Sequence, residues 1–184
     1  MTIEERRSTA IHEAGHVVVA WTLGLPAGSM EIGCNCDDTA GASEIDDAAF
    51  SLCAVDRIAL CAAGLEAQRL FECESTHEHA GAKDFAMIIG ILDELPDEEA
   101  DIIRFKGYDR AFKILDQRRS QVEKIAEALA ASGRLEQDLV RFFLGEWAIH
   151  TPARCNSPAR RFDGPCGPKD RIRRDAPHGL ITVR

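Results

Sequence analysis

The chain has 184 residues, 45% of them hydrophobic, and sets 31 acidic against 22 basic side chains for a formal net charge of -9. That length and apolar share suit one domain with a single core, and the acidic balance argues against nucleic acid as a partner. No run approaches the roughly 20 apolar residues of a membrane span, and residues 1–7 enter a helical pattern instead of a signal-peptide apolar run, so a cytoplasmic protein without a membrane span is expected.

Thr2-Ile3-Glu4-Glu5 has the form of a capping box, and no proline intervenes before Gly24 and Pro26, which predicts one long helix over residues 3–24. The Gly-, Asp-, Ser- and Cys-rich stretch that follows holds two short segments, 29–33 and 41–45, with the look of a small hairpin after the first helix. Seven cysteines, among them Cys34 and Cys36 in this stretch, are odd in number and irregularly spaced, as expected of reduced, structural thiols.

From Asp47 to Phe71 the positions Phe50, Ala54, Ile58, Cys61, Ala62 and Leu65 repeat at helical spacing, and the small residues Ala59, Ala62, Ala63 and Gly64 invite a second helix to approach closely. A polar stretch with His77 and His79 then leads to Asp84, where an apolar stripe through Phe85, Ile88, Ile89 and Leu92 predicts a third helix ending near Pro96. Residues 98–131 read as one or two amphipathic helices with Gly107 as a bend, and a last helix is expected from about Leu135 to Trp147. The acidic run from Asp93 to Asp101 reads as a solvated helix start. Beyond His150 the composition turns to Pro, Arg, Gly and Asp, so the organisation expected is a domain over 1–149 and a disordered Pro/Arg-rich tail over 150–184.

His12-Glu13-Ala14-Gly15-His16 is an H-E-x-x-H motif inside the first predicted helix. Residues four apart share a helix face, so both imidazoles can reach one Zn2+, while Glu13 stands beside the metal as a general base. The ordinary alternative is a surface helix with two incidental histidines; against it, Val17-Val18-Val19-Ala20-Trp21 supplies an apolar backing, and Gly15 leaves room for another backbone. A catalytic zinc needs a third protein ligand. The metzincin extension is excluded, because Val19 and Thr22 stand where it requires glycine and histidine. Glu66, His77, His79 and Asp84 are the remaining candidates, and spacing does not choose among them.

The segment from Glu5 to Val18 resembles the signature of the FtsH-type zinc metalloprotease family, and particularly its short stand-alone relatives without the ATPase module. Ala62-Ala63-Gly64-Leu65-Glu66-Ala67-Gln68 is similar to that family's second-helix segment, and Gly81-Ala82-Lys83-Asp84-Phe85 to the segment that supplies its third zinc ligand. The similarity spans roughly residues 4–95 and, more faintly, 125–140. It implies a mainly helical, zincin-like metallopeptidase fold with His12, His16 and Asp84 as metal ligands. In two respects the chain departs from the family: Gln68 occupies the place of the second-helix carboxylate, with Glu66 two positions away, and the Asp84 segment is one residue tighter than the membrane-protease form.

The expected activity is zinc-dependent endoproteolysis of flexible or unfolded polypeptide. The 184 residues contain no G-x-x-x-x-G-K-[ST] phosphate loop, so the activity is not expected to be ATP-driven by this chain itself; a separate ATPase partner or a homo-oligomer is compatible with the sequence. The competing expectation, from a different functional class, is a zinc-stabilised binding or regulatory protein that keeps the fold without turnover.

Overall fold

Thr2 opens the first helix by the expected reciprocal cap. Its hydroxyl accepts the Glu5 N–H at 3.1 Å, and the Glu5 carboxylate accepts the Thr2 N–H at 2.7 Å. This α1 (Ile3–Thr22) ends at Leu23, and Gly24 turns the chain away with a φ of 86°. The computed structural model describes residues 1–32, 51–73 and 81–145, which are mainly helical. The hairpin segment 41–45, the Cys34–Cys36 stretch, His77, His79, Trp147 and the tail from 150 onward lie outside the described residues.

Five more helices follow: α2 (Ala54–Leu70), α3 (Ala82–Asp93), α4 (Asp97–Gln117), α5 (Arg119–Ser132) and α6 (Gln137–Leu144). The central element is α2, with 11 of its 17 residues buried. It packs on α1 on one side and on α3 and α4 on the other. Two apolar clusters result. One lies between α1, α2, α4, α5 and α6 and includes Ile11, Val18, Leu115, Ile125 and Leu129; the other joins Ile58 and Ala62 of α2 to Ile88 and Ile91 of α3 and Ala111 of α4. Each fully buried aliphatic side chain contributes about 1.5–3 kcal/mol relative to exposure, so α2 is held from both flanks.

Several expected boundaries move. The long amphipathic segment divides into α4 and α5 at Arg118, which takes a non-helical φ of -108° and ψ of 16°, and Gly107 is no bend. It lies inside α4, where a Cβ would overlap the Ile58 side chain, so the glycine is a notch that lets α4 close on α2. The last helix starts at Gln137 because Arg134–Leu135 is a strand, β2. β2 pairs antiparallel with β1 (Met30–Glu31), in the register Met30 to Leu135 and Glu31 to Arg134. The strand expected after the first helix is thus present, and among the described residues its partner comes from the far end of the domain. Ile32 N–H extends the ribbon by donating to Gly133 O at 2.8 Å. No helix among the described residues is long and apolar enough to cross a membrane.

Candidate metal centre

Two rows of side chains, each at i, i+4, i+8 spacing, meet where α1 crosses α2. On α1 the row is Ser8, His12, His16; on α2 it is Leu60, Gly64, Gln68, running the opposite way. Close approach is possible because Gly15 sits against Ala63 and Ala67: a Cβ at 15 would come within 2.6 Å of the Ala67 Cβ and 2.7 Å of the Ala63 carbonyl oxygen. The small-residue run at 59–64 therefore meets a helix, as its composition predicts.

Each histidine is fixed by its opposite number. His16 Nδ1 donates to the Leu60 carbonyl at 2.9 Å, which keeps the second ring nitrogen, Nε2, as the free donor atom. His12 Nδ1 lies 3.4 Å from Gln68 Oε1, and the Gln68 amide in turn donates to Ser8 Oγ at 2.8 Å. The His12 ring lies flat over Gly64, where any Cβ would overlap the imidazole. Gln68 thus orients His12 through its amide oxygen.

Asp84 arrives from the first turn of α3, where a carboxylate suits the helix dipole. Its Oδ2 stands 3.3 Å from Nε2 of His12 and 3.3 Å from Nε2 of His16, and the two nitrogens are 3.1 Å apart. Among the described residues this is the set of His, Cys, Asp or Glu donors that converges in this way. Bonds of 2.0–2.1 Å to a tetrahedral zinc would separate the donor atoms by about 3.3–3.4 Å, so the three separations match such a site closely. Asp84 Oδ2 is also buried without a hydrogen bond of acceptable geometry, despite two nitrogens nearby. An orphaned carboxylate oxygen beside two inward-facing imidazole nitrogens is the arrangement a cation satisfies and a protein hydrogen bond does not.

The electrostatics point the same way. Burial by itself pushes the Asp84 carboxyl up, but the two imidazoles of His12 and His16 close beside it outweigh burial and hold the group well below the usual carboxylate range. Burial likewise disfavours the His16 imidazolium, and the pull of Asp84, then Glu13, then the Leu60 carbonyl reverses the effect and raises its pKa. In the absence of metal, Asp84 and Glu13 thus favour the protonated form of His16.

Glu13 is half-buried beside this cluster, and its charge acts on His16. Glu66, one of the alternative third ligands, is placed elsewhere: it is buried and pairs with Arg69 at 2.8 Å. His77 and His79 lie outside the described residues. The Leu60 carbonyl, Gly64 and Ser8 were not identified as parts of the site from sequence, although the matched spacings 8, 12, 16 and 60, 64, 68 carry the signal. No family model matches this chain, and no curated protein does.

Proposed function

We propose that the protein is a zinc-dependent endopeptidase acting on flexible or unfolded polypeptide, with His12, His16 and Asp84 as ligands and Glu13 as the general base. The observation that carries this reading is the convergence of Asp84 Oδ2 and the two Nε2 atoms at 3.1–3.3 Å next to the Glu13 carboxylate. The resemblance of residues 5–18 to the FtsH-type signature supports it. When bound, a zinc ion would acidify water and polarise a carbonyl, which is what peptide hydrolysis at neutral pH requires.

The chain's own residues supply the rest. Leu60 O and Gln68 hold the imidazoles with their Nε2 lone pairs turned to the shared space. Glu13 lies on the same helix turn as His12 without entering the donor set, so its carboxylate is free to take a proton from attacking water and return it to the leaving amine.

The test is zinc content and cleavage of an unfolded, casein-like protein by wild type, His12→Ala, Asp84→Ala and Glu13→Gln. One zinc per chain, lost or weakened in the first two variants, is expected, with chelator-sensitive cleavage. Glu13→Gln should keep the zinc and lose about 10²–10⁴-fold in cleavage rate. Zinc without cleavage in wild type would instead support a zinc-stabilised binding protein, and no zinc would overturn both.

A further inference from the structure

Beside Asp84 the surface is apolar and open. Phe85, Ile89 and Leu92 succeed one another on α3 at spacings of four and three, and so form one stripe. Phe105 and Tyr108 on α4 line the other wall of the same cleft, whose volume is about 490 Å³. Phe85 is 52% exposed, Ile89 55% and Phe105 75%. Contiguous exposure of large apolar side chains is costly in water and marks a surface that receives a partner.

The cleft adjoins Asp84 along α3. Phe85 follows Asp84 directly in the chain, and Ile88, one turn beyond Asp84, is buried in the cleft's base. The Tyr108 phenol on the opposite wall is pushed up by burial first and then by Glu66, with Arg104 opposing and Asp84 adding a smaller push in the same direction as Glu66. At about 1.5 Å per residue, the stripe from Phe85 to Leu92 runs roughly 10 Å along α3. An extended polypeptide covers that length in about three residues.

We propose that the cleft between α3 and α4 is a side-chain subsite that takes one bulky aliphatic or aromatic residue of an extended polypeptide, within about three residues of the bond presented to His12, His16 and Asp84. The proposal rests on the peptidase reading for the position of that bond. The mouth of the cleft carries the exposed Asp101–Arg104 pair, 2.9 Å apart, which leaves the apolar walls to select by burial.

The experiment measures binding, so that it does not depend on turnover. Fluorescence anisotropy of labelled peptides on zinc-loaded Glu13→Gln protein compares a host sequence carrying one Phe with its Ser counterpart, the residue being moved along the peptide. The Phe peptide should bind about tenfold or more tightly at its best position. Adding Phe105→Ser should cut that preference to about twofold with zinc stoichiometry unchanged, and Ile89→Ser provides a second exposed substitution should the first fold poorly. Equal binding of the two peptides, or a preference that survives both substitutions, would overturn the proposal. A concentration-dependent dimer abolished by Phe105→Ser would overturn it too, by giving the face to a second copy of the chain. Tight, cleft-dependent binding without cleavage by wild type would leave the subsite standing and sink the peptidase reading; cleavage without any apolar preference would do the reverse.

Discussion

α1 and α3 both bring donor atoms to one point, but they are held very differently. α1 buries eight residues and rests against α2 through the matched rows 8, 12, 16 and 60, 64, 68, with each imidazole tied down by a partner on α2. α3 buries only Ile88 and Ile91, exposes Phe85, Met87 and Ile89, and is tethered at its far end by the exposed Arg57–Glu94 pair at 2.8 Å. The site therefore has a preorganised nitrogen half and a lightly anchored carboxylate half. Preorganisation of the nitrogens would lower the entropy cost of binding a cation there, and the weaker anchoring of α3 puts local opening of the site on the Asp84 side.

The strongest way to break this asymmetry is to loosen α3 from beneath. Ile88→Ala removes one of its two buried anchors and should cost about 2–5 kcal/mol. Hydrogen exchange should then show α3 opening while α1 stays protected, with zinc affinity reduced; equal loss of protection in α1 would show that the two halves are not separable.

A smaller effect is expected from the nitrogen half. Gln68→Ala frees the His12 ring and removes the amide that donates to Ser8 Oγ, for an expected loss of about 10–100-fold in zinc affinity measured by competition with a chelating dye. Gln68→Glu should recover much of it, since a carboxylate accepts the same imidazole N–H. If Gln68→Ala binds zinc as wild type does, the ring is held by Gly64 packing alone.

Smaller again is a purely steric probe on the side of α2 facing away from the histidines. Gly107→Ala forces a methyl into Ile58 and should cost about 1–3 kcal/mol in urea denaturation, with zinc affinity unchanged. A drop in affinity would mean that the two flanks of α2 are mechanically coupled.

The finest test is a change of sign with pH. In metal-free protein the raised pKa of His16 contributes stability that is complete below its unfolded value of 6.5 and is lost as pH rises through the folded value. The lowered pKa of Asp84 contributes stability that is present above 3.8 and is lost as pH falls through its folded value. The cluster thus favours the metal-free fold most between 3.8 and 6.5. With zinc bound the order reverses, because metal and protons compete for the same lone pairs and stability climbs as pH rises. Urea midpoints at about pH 5 and about pH 8, with chelator and with zinc, should move in opposite directions; parallel movement would remove this cluster as the zinc site.

The parts legible in sequence are those fixed by local geometry. Thr2 and Glu5 predicted the cap, His12 and His16 share a face because they are four apart, and the run of small residues at 59–64 announced a close helix crossing. The third donor was of another kind. Choosing Asp84 over Glu66, His77 or His79 depends on the path of the chain between α2 and α3, which spacing does not encode; only the family resemblance singled it out. The break at Arg118 was hidden because the apolar period runs through it from Leu115 to Val122, both fully buried. Leu135 misled for a related reason: one apolar residue fits a helix stripe and a two-residue strand equally well, and so short a strand has no alternation to read.

The ribbon of β1 and β2 joins positions about a hundred residues apart, and Gln137 adds a hydrogen bond from its side chain to Ala27 O at 2.8 Å. Pairs so distant along the chain are slow to meet, because loop closure must precede any gain from contact. α1 and α5 must already lie side by side for the ribbon to zip, so it closes late in folding and ties the helix bearing His12 and His16 to the end of the domain. The amides of Ile32 and Leu135 should accordingly be among the last to gain protection during refolding, after the histidine helix has found its seat.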